Sequence, residues 1–525
     1  MQKQAEHIAP EVDSENLDIA TRVEQIIAQT RKLYVEDNLP WVVGYSGGKD
    51  STATLQLIWL AIAGIPEEKR TKRVHVISTD TLVENPIISR WVGRSLDVMK
   101  AASQAGHMGV EPVPLTPALQ DRFWVNLIGK GYPAPRPKFR WCTSRLKISA
   151  STKYIRDVAT ERGEAILVLG SRSQESEARK RVMEGYSGST RALLSRNGDA
   201  SLDRVWVYTP IATWSSDDVW EFLVTVDNPW GYSNRALLDI YRGATPDAEC
   251  PLVVDSSTPS CGDSRFGCFV CTLVDKDKSM QAMIQNDEEK RWMLPLADFR
   301  NNFLDIKEDR KHRDFRRMDG SLTPFKNSKG EVSLVHGPYK QSYRETLLKE
   351  VLEAQVKVRS EAQQSGKADL ETFELISLEE LEEIRKIWVL QKHEIEDRVP
   401  RIYEEATGNP YPCAGTDDNR IFAPEDVELL RSLAASPEDA DELHFQLLRE
   451  LLHVEQTYRT ASRRVGIYDA FERALERGAF TREDEALAFA LLRSGRGAQT
   501  AHIVDSPAEQ ELSLGLNEDV TGGAP

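Results

Sequence analysis

The stretch WVVGYSGGKDSTATLQLIWLAIA, residues 41–63, changes character in its middle. Trp41–Tyr45 is a short apolar run, and Ser46–Ser51 (SGGKDS) breaks it. Beyond the break Leu55, Ile58, Trp59 and Ile62 recur at helical spacing. The pattern reads as strand, glycine loop, helix. At such a junction Gly47 and Gly48 let the backbone approach phosphate oxygens closely. The helix that follows offers unpaired N–H groups and the positive end of its dipole, and Lys49 adds a mobile positive charge. The loop is not a Walker A motif: Gly44 stands one residue too close, and Asp50 follows the lysine where Ser or Thr is required.

Working outward, strand-like runs recur at 74–79 (VHVIST), 165–169 (AILVL) and 205–211 (VWVYTPI), with helical stretches between them. That alternation predicts an α/β fold, a doubly wound and mostly parallel sheet covered by helices on both faces. Ser215 and Asp218 form a capping box that opens the helix DDVWEFL. From 232 to 275 the regular pattern is lost while Cys, Gly and Pro accumulate. Residues 319–340 read as a hairpin segment, and beyond 341 the pattern turns helical. There Leu381, Ile384 and Trp388 follow a Ser377/Glu380 capping box, and further helices are predicted at 424–434, 440–457, 466–477 and 481–493. The division expected is an N-terminal helical segment (1–35), a nucleotide-loop domain (36–230), a cysteine-rich region with hairpin (231–345), an acidic helical domain (346–504) and a disordered tail (505–525).

The 525 residues carry a net charge of −16, but the charge is unevenly placed. Through residue 345 there are 47 Lys/Arg against 46 Asp/Glu, and beyond it 20 against 37. The acidity therefore belongs to the C-terminal third and does not exclude a nucleic-acid substrate for the rest. Six Lys/Arg and no acid fall between 130 and 147 (Lys130, Arg136, Lys138, Arg140, Arg145, Lys147), and Arg172, Arg179, Lys180 and Arg181 form a second cluster. Both are expected to face a polyanion. The N-terminus is polar and acidic, without the apolar run of a signal peptide, and no stretch is long and apolar enough to span a bilayer. A cytoplasmic protein with no membrane association is expected.

Cys250, Cys261, Cys268 and Cys271 are spaced C-x10-C-x6-C-x2-C. A C-x2-C pair chelates one metal from a tight turn, and two further thiolates complete a four-sulfur site that suits either zinc or a 4Fe–4S cluster. Cys142 stands apart among Arg140, Arg145 and Lys147, cations that favour a nucleophilic thiolate. It is a candidate persulfide carrier, or a cluster ligand in place of Cys250. Cys413 reads as structural.

SGGKDS resembles the PP-loop of the ATP pyrophosphatase superfamily, whose members cleave ATP between the α and β phosphates. DTLVENP (80–86), FRWCTSRLK (139–147), GSRSQESEARKR (170–181) and PIATWSSDDVWEFL (210–223) resemble, in order, the motifs of its PAPS reductase-like branch. That resemblance implies an adenine nucleotide alpha hydrolase-like fold. It also implies ATP and Mg²⁺ held by Ser46, Gly47, Gly48, Lys49, Asp50, Ser51, Asp80, Thr81, Gly170 and Arg172. Lys49, Asp50, Cys142 and Arg172 are the implied catalytic residues, and a 4Fe–4S cluster is the implied occupant of the four cysteines, making the region an iron–sulfur insertion. The chain ends in VTGGAP, without the ECG-type segment of true sulfonucleotide reductases, and it lacks their adjacent Cys-Cys pair.

The longer phrase IGKGYPAPRPKFRWCTSRLK (128–147), the late GPYKQSYR (337–344) and the helical extension look like the DndC family, the sulfurtransferases of bacterial DNA phosphorothioation. That likeness implies adenylation of a DNA phosphate oxygen followed by its replacement with sulfur. DNA, a cysteine desulfurase as sulfur donor and the other Dnd proteins are the implied partners, the last docking on the acidic third. Two alternatives stay open: another PP-loop enzyme, acting on tRNA or a sulfonucleotide, and a non-catalytic nucleotide-sensing DNA-binding subunit.

Overall fold

The computed structural model describes residues 18–137, 139–175, 193–245, 266–327, 329–392, 394–413, 424–437, 442–459, 463–478, 480 and 482–496. Cys250, Cys261, Lys138, Arg179, Lys180, Arg181 and the 505–525 tail lie outside them. The chain divides into two compact units, each woven from separate segments. The first takes residues 1–117, 147–268 and 278–290, and the second takes 118–146, 269–277 and 291–525.

The first unit is built on a six-stranded sheet. Its strands are β1 (Trp41–Gly44), β2 (Val74–Thr79), β3 (Val110–Leu115), β4 (Ala165–Val168), β5 (Ser195–Arg196) and β6 (Val205–Tyr208), in the spatial order β3-β2-β1-β4-β6-β5. All pairings are parallel except β5 with β6. Trp41, Val42 and Val43 have no exposed surface, as a central parallel strand covered on both faces requires. Alternate residues serve alternate faces. Trp41 and Val43 join the apolar cluster of α1 (Ile19–Glu36), α2 (Lys49–Ala63) and α3 (Pro86–Ala105), while Val42 packs with Ile155 and Ala159 of α4 (Ser149–Arg162). The doubly wound sheet expected from the alternating pattern is present.

Two strands escaped the sequence pattern. β3 (VEPVPL) carries Pro112 and Pro114, which read as breakers. It lies at the sheet edge, where a missing N–H costs no ladder bond. β5 is two residues long and pairs only through Ser195 and Arg196. The region from 232 is not patternless at its start: Ser233 caps α6 (Asn234–Gly243), accepting from the Ala236 N–H at 3.1 Å. The Ser215/Asp218 capping box forms as read and opens α5 (Ser216–Thr225), and α7 (Lys278–Asn286) completes the unit.

The second unit is largely helical. Its apolar spine is α9 (Gln341–Gln364), with α8 (Leu294–Phe299) and α11 (Arg398–Thr407) against it. The Ser377/Glu380 box opens α10 (Leu378–Lys386), and Leu381, Ile384 and Trp388 are buried, as their spacing indicates. The Trp388 indole donates to Ile128 O at 3.0 Å and that of Trp124 to Leu375 O at 2.6 Å, so each buried ring keeps its polar atom satisfied. The hairpin expected at 319–340 is β7 (Pro324–Lys326) against β8 (Val332–Leu334). Helices α12 (Pro424–Ala434), α13 (Leu443–Arg459), α14 (Ile467–Gly478) and α15 (Glu483–Arg496) follow within a few residues of their predicted bounds. No helix among the described residues is long and apolar enough to cross a membrane.

Candidate active site

Strand order reverses between β1 and β4: the chain runs from β1 outward to β2 and β3, then returns to β4 on the other side and moves on to β6. In an open parallel sheet the crevice beyond the carboxyl ends at such a switch point is where ligands bind. The loop after β1 is Ser46–Gly48, and the turn after β4 carries Gly170 and Arg172. The two flank the switch point, and they touch.

The glycine loop is locked from several sides. Gly47 has φ +72°, a left-handed conformation, and a Cβ there would also lie 2.4 Å from Val92 Cγ2, so both constraints demand glycine. Its carbonyl accepts from the Trp91 indole at 3.3 Å. Ser51 Oγ donates to Gly48 O (3.0 Å) and accepts from the Ser46 N–H (3.2 Å), tying the first turn of α2 back onto the loop. Gly48 is the N-cap and supplies no side-chain cap, which leaves the helix end shaped for an anionic ligand.

Asp50 and Arg172 meet directly: Arg172 Nε donates to Asp50 Oδ1 at 2.6 Å, and its Nη1 donates to Trp214 O at 3.4 Å. Arg172 is only 6% exposed, so its charge is held in place for the crevice. The approach depends on Gly170, where a Cβ would fall 2.8 Å from Asp50 O and 2.9 Å from its carbonyl carbon. Gly170 and Arg172, implied as nucleotide-holding residues by the resemblance, lie against the loop.

Lys49 differs from expectation. It is 4% exposed, with its ammonium 5.7 Å from the centroid of the Tyr241 ring, so it is a packed charge and not a mobile one. The Tyr241 hydroxyl accepts from the Lys49 N–H at 3.3 Å. It lies 3.4 Å from where a Cβ of Gly48 would stand, so it roofs the phosphate loop. Burial pushes the phenol up to about 12. Neutral at ordinary pH, it keeps its own proton available to an oxygen bound on the loop. Tyr241 and Trp91 were missed in the sequence. The available signal was Leu237 and Tyr241, four apart behind the Ser233 cap.

Asp80 and Thr81 sit at the carboxyl end of β2. Asp80 accepts from the Leu82 N–H (2.8 Å) and from Ser89 Oγ (3.1 Å), which holds Leu82 at φ +64°. Thr81 is fully buried, donates to Glu84 Oε1 at 3.1 Å and lies 3.4 Å from Cys268 Sγ. An isolated bridge pairs Glu84 with Cys268, and Lys147 reaches Glu84 at 3.1 Å. Within the first unit, then, DTLVENP and the first cysteine of the C-x2-C pair are in contact, a juxtaposition that spacing alone did not reveal.

Of the four cysteines read as metal ligands, Cys268 falls in the first unit and Cys271 in the second, while Cys250 and Cys261 lie outside the described residues. Among the described residues no group of three or more His, Cys, Asp or Glu gathers for a metal. The donor set for a 4Fe–4S cluster is therefore not assembled by the described residues. The Cys271–Asp275 turn is nevertheless firmly built. Arg300, 2% exposed, donates through Nε to Cys271 O (3.0 Å) and through Nη1 to Asp275 O (3.1 Å).

Cys142, in the second unit, is partly exposed and follows the buried Trp141. The cations around it are less free than their density suggests. Arg145 pairs with Asp121 at 2.7 Å, Arg136 with Asp309, and Lys130 donates to Gln120 O at 3.0 Å. Arg145 and Arg136 of the basic segment thus have internal carboxylate partners, while Arg140 is exposed and Arg136 keeps 41% of its side-chain surface exposed.

With this geometry in place, comparison with protein families finds a likeness for the part of the chain that holds the loop. Residues 40–230 match the phosphoadenosine phosphosulfate reductase domain. The matched segment takes in SGGKDS, DTLVENP and the Gly170–Arg172 turn, and it stops short of α6 and the cysteine-rich region. No curated protein matches the chain. Among solved structures, Candida glabrata FMN adenylyltransferase in complex with FAD and inorganic pyrophosphate aligns at 12% identity with a TM-score of 0.26, covering 45% of this chain and 67% of that one. The U34-tRNA thiolase NcsA from Methanococcus maripaludis, with its 4Fe–4S cluster, aligns at 16% identity and a TM-score of 0.26, covering 40% and 64%. The chain spans about two thirds or less of these structures, and the fold assignment rests on the strand order and register above.

Proposed function

We propose that the chain is an ATP pyrophosphatase-type sulfurtransferase that activates a DNA backbone phosphate and exchanges one of its oxygens for sulfur. The observation carrying this reading is the contact between the SGGKDS loop and Arg172 at the sheet's switch point, inside a segment that matches the PAPS reductase domain. A non-bridging phosphodiester oxygen attacks the α-phosphorus of ATP, the α–β bridge breaks, and pyrophosphate leaves with the electron pair. The loop N–H groups, Lys49 and Arg172 offset the charge developing on that leaving group. Mg²⁺ accompanying the nucleotide neutralises its β,γ-phosphates.

The order is dictated by charge. An anionic phosphodiester repels a sulfur nucleophile and has no leaving group, and adenylation removes a charge and installs AMP. Sulfide then attacks phosphorus and expels AMP directly. Sulfur arriving as a persulfide from a cysteine desulfurase needs one more step: a thiolate attacks the sulfur–sulfur bond, which frees the phosphorothioate and leaves a disulfide. Cys142 is the candidate sulfur carrier and Cys250, Cys261, Cys268 and Cys271 the candidate cluster ligands. The other phosphorothioation proteins are the proposed partners of the acidic helices. There Glu379 already pairs with Arg122 and Glu382 accepts from Tyr411, so Glu383 is the better charge-reversal probe for docking.

The test supplies ATP, a radiolabelled sulfur donor and a cysteine desulfurase, with DNA or bulk tRNA as acceptor. Nuclease-resistant label in DNA that depends on ATP is expected. Label in tRNA and none in DNA would contradict the DNA assignment.

A further inference from the structure

The second unit contains a cavity of about 890 Å³ that the reaction above does not use. Seven Lys/Arg side chains line it, against three acids. The charges are crowded: Arg136 and Arg313 share one buried carboxylate, Asp309. Arg313 is held by donating to Gly337 O at 2.8 Å and to His336 O. Burial pushes its guanidinium down to about 10, the cost of holding a cation there without a full counter-charge. Lys307 and Lys311 stand exposed at the rim.

A second observation shows what this wall accepts. Glu483, in the first turn of α15, sends its carboxylate onto Arg310 and lies 3.0 Å from His336 Nε2. An anion from the acidic third of the chain is therefore seated on the basic wall. Of the three phenylalanines in the lining, Phe139 and Phe315 are 6% and 5% exposed, while Phe325 is half-buried. The cavity offers mainly charge and hydrogen-bond donors, with two of its three phenylalanine rings buried.

We infer that this cavity holds the sugar–phosphate backbone of duplex DNA, and that Glu483 occupies a position a phosphate takes when DNA binds. The identity of the polyanion rests on the function proposed above; the basic wall and its seated carboxylate do not. Contacts of this kind fix position and carry no base readout, so binding here is independent of sequence, and the choice of modified site lies elsewhere.

The full chain is titrated into a fluorescently labelled duplex of random sequence, and anisotropy is followed across a salt series. The double substitution Lys307→Glu/Lys311→Glu changes two exposed side chains, so the fold, checked by circular dichroism, is retained. It is expected to weaken binding more than tenfold and to lower the slope of log K against log salt by about 2. Its cleavage of ATP without DNA should equal the parent's, since neither lysine belongs to the loop or to the Gly170–Arg172 turn. Glu483→Gln is expected to tighten binding about threefold or more by removing the competing anion. Parental affinity and slope in the lysine variant would overturn the cavity assignment alone. Failure of the parent to bind DNA at all would instead sink the proposed substrate, and the cavity's DNA with it.

Discussion

Replacing Tyr241 by Phe removes one oxygen from the roof of the phosphate loop and leaves the ring. The ring keeps its edge contacts with Trp220 (centroids 5.0 Å apart) and Phe266 (4.7 Å), so no cavity opens. What is lost structurally is the acceptor for the Lys49 N–H. At 3.3 Å that bond is long, and its net worth is about 1 kcal/mol, which in a unit of this size lowers Tm by roughly 2–4 °C. On the proposed function the functional loss is larger, because the hydroxyl over the loop then donates to a phosphate oxygen bound there. A hydrogen bond to a charged group contributes about 1.5–3 kcal/mol, which converts to a roughly 10- to 150-fold slower release of pyrophosphate. Differential scanning fluorimetry and a coupled pyrophosphate assay separate the two effects. Parental turnover in a variant whose Tm falls as stated would refute the placement of Tyr241 over the phosphates. The pH dependence gives an independent check. The folded phenol titrates at about 12, above the value of 10 for a free tyrosine. Its contribution to stability is therefore fully present below pH 10 and is lost between 10 and 12; Tyr241→Phe should flatten that part of the stability profile.

The remaining predictions concern the loop and the cysteines. Gly170→Ala forces a Cβ to 2.8 Å from the Asp50 carbonyl oxygen. It should destabilise the chain by about 1–3 kcal/mol and slow ATP cleavage, read by denaturant midpoint and by AMP formation; a stable, fully active variant would mean the Asp50–Arg172 contact is dispensable. Lys49→Ala and Asp50→Ala should each abolish AMP formation with circular dichroism unchanged. In anaerobically purified protein, Cys268→Ala or Cys271→Ala should remove iron measured by elemental analysis while Cys413→Ala does not; stoichiometric zinc in the parent would overturn the cluster reading. Cys142→Ser should retain AMP formation and lose sulfur incorporation if Cys142 carries sulfur, and should lose iron if it is a ligand.

What the sequence made legible follows its local signals. β1, β2, β4 and β6 are apolar runs with clear ends, and the Ser215 and Ser377 caps announce their helices three residues ahead through Asp218 and Glu380. The loop residues were readable because their types are dictated by backbone geometry, as Gly47 at φ +72° shows. Contacts between distant segments were not readable. Nothing near residue 241 signals that its hydroxyl caps a loop at residue 48, and nothing near 268 signals a neighbour at Thr81. The prolines of β3 pointed away from a strand because edge position is a property of the whole sheet. Charge density in the segment 130–147 does not show pairing for the same reason: Asp121 and Asp309, which pair with Arg145 and Arg136, lie outside that segment.

The central claim is that this loop breaks ATP between its α and β phosphates, and the identity of the products tests it most directly. Purified protein is incubated with ATP labelled at the α-phosphate, with and without duplex DNA, and the nucleotides are resolved by chromatography. The account predicts labelled AMP with one pyrophosphate for each AMP, and faster formation when DNA is present. Labelled ADP with inorganic phosphate would contradict it.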